Sequence, residues 1–427
     1  MTKMVLTAQG EKAPIQKLAD RISNFFVPIV LLLAIATFTT WYTLGNPLQD
    51  SMRAAVALLV IACPCALGLA TPVALLVATG KGASQGIVLR KTSSLEIAPR
   101  ITAVVLDKTG TLTTGVMKVQ NIAIPDLGRS SSGVSPHQLL MAIHSVEKES
   151  NHPIAQAIVN HLSQQGIARL SIRDVVETAG QGIAARVGFG EKEMPVLIGT
   201  PESIRRATVS LHPELESAIS AARLRGNSVA VIAVDGIASA VFEVGDSLRS
   251  DAAATIKELH ERAIETWLVT GDNEVSAHQI AIEVGIPLKN VIALASPERK
   301  ISKIKELKSA GHKVLMIGDG INDAAALSEA DLSMALGTGT DTAIASADVT
   351  LMRPELGTSI TALNLAKNTL GIIRTNLVWA FFYNVIGMPI AALGLLNPMY
   401  AGAAMAASSL FVVLNSLRLN RASTLSA

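Results

Sequence analysis

Cysteine and charge are what this sequence has least of. Two cysteines among 427 residues, both in one tripeptide, leave no disulfide framework to hold a fold together. Asp, Glu, Lys and Arg make up 16% of the chain, and the formal net charge is +2. That near-neutral balance, without a clustered basic face, argues against a nucleic-acid partner. The first residues are polar and of mixed charge, so they do not form a signal-peptide pattern. No internal repeat is evident, and the run Ser130-Ser131-Ser132-Gly133 reads as a loop.

Apolar residues fill the space: 49% of the chain is hydrophobic, concentrated toward both ends, while charge gathers in the middle. The stretches 22–44, 52–79, 377–396 and 400–417 are long enough to cross a bilayer, which takes about 20 such residues. Short links at 45–51 and 397–399 pair them as two helical hairpins. Lys12, Lys17 and Arg21 precede the first span, and Lys81, Arg90 and Lys91 follow the second. Arg374 precedes the third, Arg418 and Arg421 follow the fourth, and Arg53 alone lies on the other side. The positive-inside rule then predicts a multi-pass cell-membrane protein with both termini and the middle segment cytoplasmic.

The middle, about 98–366, reads as α/β. Apolar β-branched runs at 101–106, 266–270 and 313–318 each end in a Gly, Asp or Thr turn, with helix-like segments at 251–261 and 299–310. Strands alternating with helices predict a parallel sheet with crossovers. The stretch 119–235 breaks this rhythm and reads as an inserted domain.

Asp107-Lys108-Thr109-Gly110-Thr111-Leu112-Thr113 follows the first of these strands directly. The carboxyl end of a parallel strand is where an open α/β sheet binds its ligand. A carboxylate there can take a phosphoryl group covalently, given cation density around the transferring oxygens. Gly318-Asp319-Gly320-Ile321-Asn322-Asp323 offers two carboxylates to Mg²⁺, a hard ion that prefers oxygen. Thr270-Gly271-Asp272-Asn273 adds a hydroxyl and turn amides, and Lys300 opens a helix from which it can neutralise phosphate charge.

In this order the set resembles the P-type ATPase branch of the haloacid-dehalogenase-like fold, over nearly the whole chain. The resemblance implies a multi-domain membrane protein. Its parts would be α-helical transmembrane hairpins and a haloacid-dehalogenase-like α/β phosphorylation domain with an inserted α+β nucleotide-binding domain. The expected division is a cytoplasmic link at 1–21, a hairpin with its stalk at 22–97, and a C-terminal hairpin at 367–427. The phosphorylation domain takes 98–118 and 236–366, and the nucleotide-binding domain 119–235. Asp107 becomes the nucleophile, with Thr270, Lys300 and Asn322 at the phosphoryl group and Asp107, Thr109, Asp319 and Asp323 at Mg²⁺. One departure is Ala325, where the family usually has proline; it removes no reacting group. Phosphatases of this fold usually carry a second aspartate two residues after the nucleophile as general acid and base. Thr109 cannot serve so, and the phosphoenzyme is expected to persist.

Within the insert, Glu147, Ser150-Asn151-His152-Pro153 and Gly180-Gln181-Gly182 resemble the nucleotide-binding domain of heavy-metal transporting P-type ATPases. The resemblance places Glu147, His152, Gly180 and Gly182, with Asp272, at ATP. Cys63-Pro64-Cys65 interrupts the second span, where proline frees backbone carbonyls that a membrane tolerates only beside a cavity or site. Two thiolates there suit a soft ion, Cu(I), Ag(I), Zn(II) or Cd(II). The rival reading, a redox pair, belongs at accessible surfaces, and one intervening proline is a poor geometry for it. Tyr383-Asn384 and Met405-Ala406-Ala407-Ser408-Ser409 follow in the last two spans, neither of which carries an Asp, Glu, Lys or His. They resemble the Cu(I)-transporting subgroup, so Cys63, Cys65, Tyr383, Asn384, Met405 and Ser409 are the expected ion ligands. Ser408 and Ser409 also fit simple helix-to-helix glue.

The 427 residues contain neither Thr-Gly-Glu, the actuator loop that positions the hydrolytic water in this family, nor Cys-x-x-Cys. Residues 8–16 resemble the link from an actuator domain into the membrane. The expectation is the C-terminal portion of a Cu(I) exporter, acting with an actuator-containing partner or parent chain and slow to dephosphorylate alone. The alternatives are a non-pumping remnant that binds ATP and metal, or a Zn/Cd-transporting relative.

Overall fold

The computed structural model describes residues 14–125, 134–178, 180–207, 211–319, 323–337 and 345–420. The expected loop at 130–133 lies outside them. The chain divides into two compact units, one of Met1–Val104 with Lys303–Ala427, the other of Val105–Ser302.

The first unit holds the long apolar helices: α1 (Pro14–Thr43), α2 (Leu48–Ile61), α3 (Cys65–Ser84), α4 (Thr358–Ala392) and α5 (Pro398–Leu417). They contain four segments long and apolar enough to cross a membrane, Asn24–Thr43, Leu48–Ser84, Thr358–Ala392 and Pro398–Asn420. The second segment is broken between α2 and α3. Pro64 has no N–H to give, and the Cys63 N–H reaches back only three residues, to Val60 O at 3.3 Å. Small residues let these helices approach closely. A Cβ on Gly387 of α4 would sit 2.5 Å from Ile61, the last residue of α2. Trp41 Nε1 of α1 donates to Ala392 O at the end of α4 (2.9 Å).

Helix α4 starts well before the expected span. At 35 residues it is about 52 Å long, more than the hydrocarbon core of about 30 Å. Its first turns, including Leu363, Leu365 and Ala366, are buried in protein. The domain edge expected at 367 therefore falls inside one continuous helix. Lys367 and Arg374 interrupt the apolar run there without interrupting the helix.

The strands are β1 (Ile87–Leu89), β2 (Ala103–Leu106), β3 (Thr113–Ala123), β4 (Ile172–Thr178), β5 (Gly182–Phe189), β6 (Lys192–Gly199) and β7 (Ser228–Val234). There follow β8 (Ile237–Leu248), β9 (Glu265–Val269), β10 (Val291–Ile292), β11 (Val314–Gly318), β12 (Leu332–Leu336) and β13 (Val349–Leu351). In the first unit β11, β12 and β13 pair in parallel and β1 closes on β13 antiparallel. Their continuous burial is what a parallel sheet covered on both faces requires. In the second unit β9 and β10 are parallel.

The insert is a six-stranded antiparallel sheet ordered β3-β8-β7-β6-β5-β4. Its core includes Ile143, Ile158, Leu162, Ile198, Ile232 and Phe242. Its edges differ from the expected 119 and 235. The β3–β8 ladder runs from Thr113↔Leu248 to Ala123↔Val241, so both connecting strands belong to this sheet for most of their length.

Candidate functional site

Asp107 leaves the end of β2 and is 8% exposed. Lys300, in the first turn of the helix Pro297–Ser309, points its ammonium at it, Nζ to Oδ1 2.6 Å, and is itself buried. A buried ion pair is not a cheap way to hold a fold, because desolvating both charges offsets most of their attraction. Its place at a strand end suits a carboxylate held ready and charge-compensated.

The loop behind Asp107 is tightly determined. Thr109 (φ −70°, ψ 127°) and Gly110 (φ 71°, ψ −11°) form a type II turn, whose third position calls for glycine. Thr113 Oγ1 accepts from the Gly110 N–H at 3.1 Å and lies against the Asp246 carboxylate. Lys108 is drawn aside, ion-paired with Asp272 and hydrogen-bonded to Ser276 Oγ at 3.1 Å. Thr270, buried at the end of β9, accepts from the Asp272 N–H (3.2 Å). Asp272, expected at the nucleotide, is ion-paired with Lys108, and the turn after β9 carries both Thr270 and Asp272 to the strand end.

In the other unit, Asp319 follows β11 directly and Asp323 immediately precedes the next helix, Ala324–Glu329. Gly318 leaves the Asp323 carboxylate room: a Cβ there would stand 2.7 Å from Oδ2. Asn322 lies outside the described residues.

The insert carries a cavity of about 510 Å³. Glu147, His152, Gly180 and Gly182 all line it, as expected. Ser150 of the same motif lines it too, as do Glu177, Gly199 and Thr200, whose part sequence reasoning missed. His152 caps the helix Pro153–Gln164 by accepting from the Ile154 N–H at Nδ1 (3.3 Å), which leaves Nε2 as the ring's other nitrogen. Glycine is obligatory where the antiparallel pair β5–β6 begins, Gly182 opposite Gly199. A Cβ on Gly182 (φ +134°) would meet Ile198 O at 2.0 Å, and one on Gly199 would meet Gln181 O at 2.1 Å. Burial, then the neighbouring Glu177, push the Glu147 carboxyl up to about 7. Ser150 Oγ donates to Glu177 Oε1 (2.6 Å), fixing that neighbour in place.

In the membrane helices the break at Pro64 lies beside α4, where Tyr383 Oη donates to Cys63 O at 3.2 Å. Asn384 is buried, and its Oδ1 has no hydrogen-bond partner among the described residues. Met405 and Ser409, partly buried, sit one turn apart on α5 with the buried Ser408 between them. Cys63 and Cys65, the two expected thiolate ligands, are joined here as a disulfide. Their Cα atoms are 5.5 Å apart, within bridging range, because the break lets the backbone turn sharply around Pro64.

Also missed was a buried polar chain across α3, α4 and α5. Asn376 Nδ2 donates to Ala70 O (3.3 Å) and Ser416 Oγ (3.0 Å), and Asn415 Nδ2 donates to Asn376 Oδ1 (2.8 Å).

A family model for haloacid dehalogenase-like hydrolases matches residues 101–331. The chain is 43% identical over 421 residues to the copper-exporting P-type ATPase of Mycobacterium tuberculosis, covering 99% of this chain and 53% of that protein. It is 40% identical over 419 residues to the probable copper-importing P-type ATPase A of Enterococcus hirae, covering 98% and 55%. The chain thus spans about half the length of the curated relatives it matches. The crystal structure of a zinc-transporting PIB-type ATPase in its E2.Pi state is similar at TM-score 0.78 and 30% identity, over 98% of this chain and 66% of that one.

Proposed function

The chain belongs to the haloacid dehalogenase-like hydrolase family, within its P-type ATPase branch, and from that premise we propose that it drives Cu(I) out of the cytosol through an aspartyl phosphate on Asp107. The observation that carries the reading is the buried Asp107–Lys300 pair at a strand end, backed by a loop that leaves little freedom. Asp107 attacks the γ-phosphorus of ATP seated by Glu147, His152, Gly180 and Gly182. The bond to the β-phosphate oxygen breaks and ADP leaves. Lys300 holds the carboxylate beforehand and, with Thr270 and Asn322, receives the phosphoryl oxygens.

The donors Asp107, Thr109, Asp319 and Asp323 are all oxygen, which fits Mg²⁺. Bound there, that ion would supply positive charge at the transferring phosphoryl group. The cargo is read from Cys63, Cys65, Tyr383, Asn384, Met405 and Ser409, a set rich in sulfur and free of charge, as suits Cu(I). Ag(I) shares that chemistry. A divalent Zn(II) or Cd(II) cargo is the second reading, favoured by the zinc-transporting structural neighbour. Against it stands the absence of Asp, Glu, Lys and His from 377–417, where a divalent ion would call for balancing charge. Transport needs both sulfurs as thiolates, so the competent form has the Cys63–Cys65 bond reduced.

Metal selectivity tests the assignment. Reduced protein in detergent is expected to hold Cu(I) against a competing chelator far better than Zn(II), and Cys63→Ser with Cys65→Ser is expected to abolish that hold. Preferential Zn(II) binding that survives the double substitution would reject it.

A further inference from the structure

We infer that Arg249 is a positioning residue for phosphoryl transfer, one that fixes the loop behind Asp107; the inference rests on the reading of Asp107 as nucleophile. Arg249 follows β8 by one residue and is 7% exposed. Its guanidinium does not reach solvent to be hydrated. It donates to two successive carbonyls of the loop, Nη2 to Gly110 O at 2.6 Å and Nε to Thr111 O at 2.9 Å. Its own backbone N–H takes the next, Leu112 O, at 2.9 Å. One residue therefore fastens three consecutive carbonyls.

Burying a guanidinium is costly even when its donors are met. A fold seeking only stability could close this turn with neutral donors. The planar fork of Arg reaches two acceptors in a fixed relative geometry, which lysine cannot do. Thr113 holds the same loop from its far side, between the Gly110 N–H and Asp246. Asp246 and Arg249 both come from the end of β8, the strand by which the chain returns from the insert. The loop that sets the Asp107 carboxylate is thus tied to the strand that carries the nucleotide-binding sheet. A change in the course of β8 is felt at Gly110 and Thr111 directly.

The test compares the full chain with Arg249→Lys and Arg249→Met on three readouts. Affinity for a fluorescent ATP analogue is expected to stay within about twofold, because the cavity around Glu147 and Gly182 is built by other residues. Phosphoenzyme formation is expected to fall at least a hundredfold in Arg249→Met and less in Arg249→Lys. The loss should be as large with acetyl phosphate, a donor that does not use the nucleotide cavity, as with ATP. Hydrogen exchange of the amides at 108–112 is expected to quicken in both variants while those at 180–183 stay protected. The exchange readout judges the positioning even if the parent chain takes no phosphoryl label, an outcome that would sink the nucleophile reading alone. Unchanged exchange at 108–112, or equal loss of nucleotide affinity and phosphorylation in Arg249→Lys, would overturn the inference.

Discussion

Glu147 keeps its proton to about pH 7, where an ordinary glutamate has been ionised for more than two pH units. The cause is burial first and the Glu177 carboxylate second. The sign for stability follows from the raised value. Below about 4.5 the group is neutral both folded and unfolded, and it costs nothing. Between about 4.5 and 7 the unfolded chain gives up the proton while the folded one retains it, and stability falls as pH rises. Above 7 the full difference applies, roughly 3 kcal/mol at the about 1.4 kcal/mol per unit that linkage gives. Glu147→Gln stays neutral throughout. Relative to that variant, the parent's nucleotide-binding region is expected to lose protection against hydrogen exchange as pH is raised from 5 to 8. A constant difference between the two across that range would contradict the assignment. The same residue is poised to meet a nucleobase either as acceptor or as donor, which suits the floor of a cavity that also presents His152 and two obligatory glycines.

The membrane helices meet through small residues and shared polar atoms. Gly387 admits Ile61, while Asn376 ties Ala70 of α3 to Ser416 and Asn415 of α5. Asn376→Leu removes two donors and an acceptor at a fully buried point and leaves their partners unmatched. The expected cost is about 1–2 kcal/mol, the upper range for interhelical hydrogen bonds in membranes, read as an earlier unfolding transition in detergent. No shift would mean that the chain is slack. Much of this architecture was legible in the sequence because its signals are contiguous. The run Asp107–Thr113 names its own loop, and apolar stretches of about 20 residues name spans. What the sequence hid was set by pairing. Gly199, Thr200 and Glu177 reach the nucleotide cavity only through the register of β4, β5 and β6, and no local pattern marks them. The outer parts of β3 lack clean alternation, so the insert looked shorter than its sheet. Helix α4 runs from Thr358 through Lys367 and Arg374, where an apolar count stops but the backbone does not. One intervening proline reads as poor geometry for a redox pair at Cys63 and Cys65, yet the break at that proline is what brings the two residues within reach.

At the scale of the whole chain, one unit carries the long apolar helices with Cys63, Cys65 and Met405, and the other carries Asp107, Lys300 and the cavity lined by Glu147 and His152. The account asks the second unit to do chemistry that its own groups can begin. Asp107 is held by Lys300, its loop is fixed by Thr113 and Arg249, and a nucleotide site is formed. Among its described residues none is an evident base to orient a water against an acyl phosphate, and Thr109 cannot act as one. Dephosphorylation by this chain alone is therefore expected to lack the factor of about 10²–10⁴ that such a base supplies. The most direct test is labelling of the purified chain with γ-labelled ATP and Mg²⁺, followed over time. The account predicts one label per chain, stable in acid, released by hydroxylamine, absent from Asp107→Asn, and decaying slowly with little sustained phosphate release. Equal label in Asp107→Asn would contradict it.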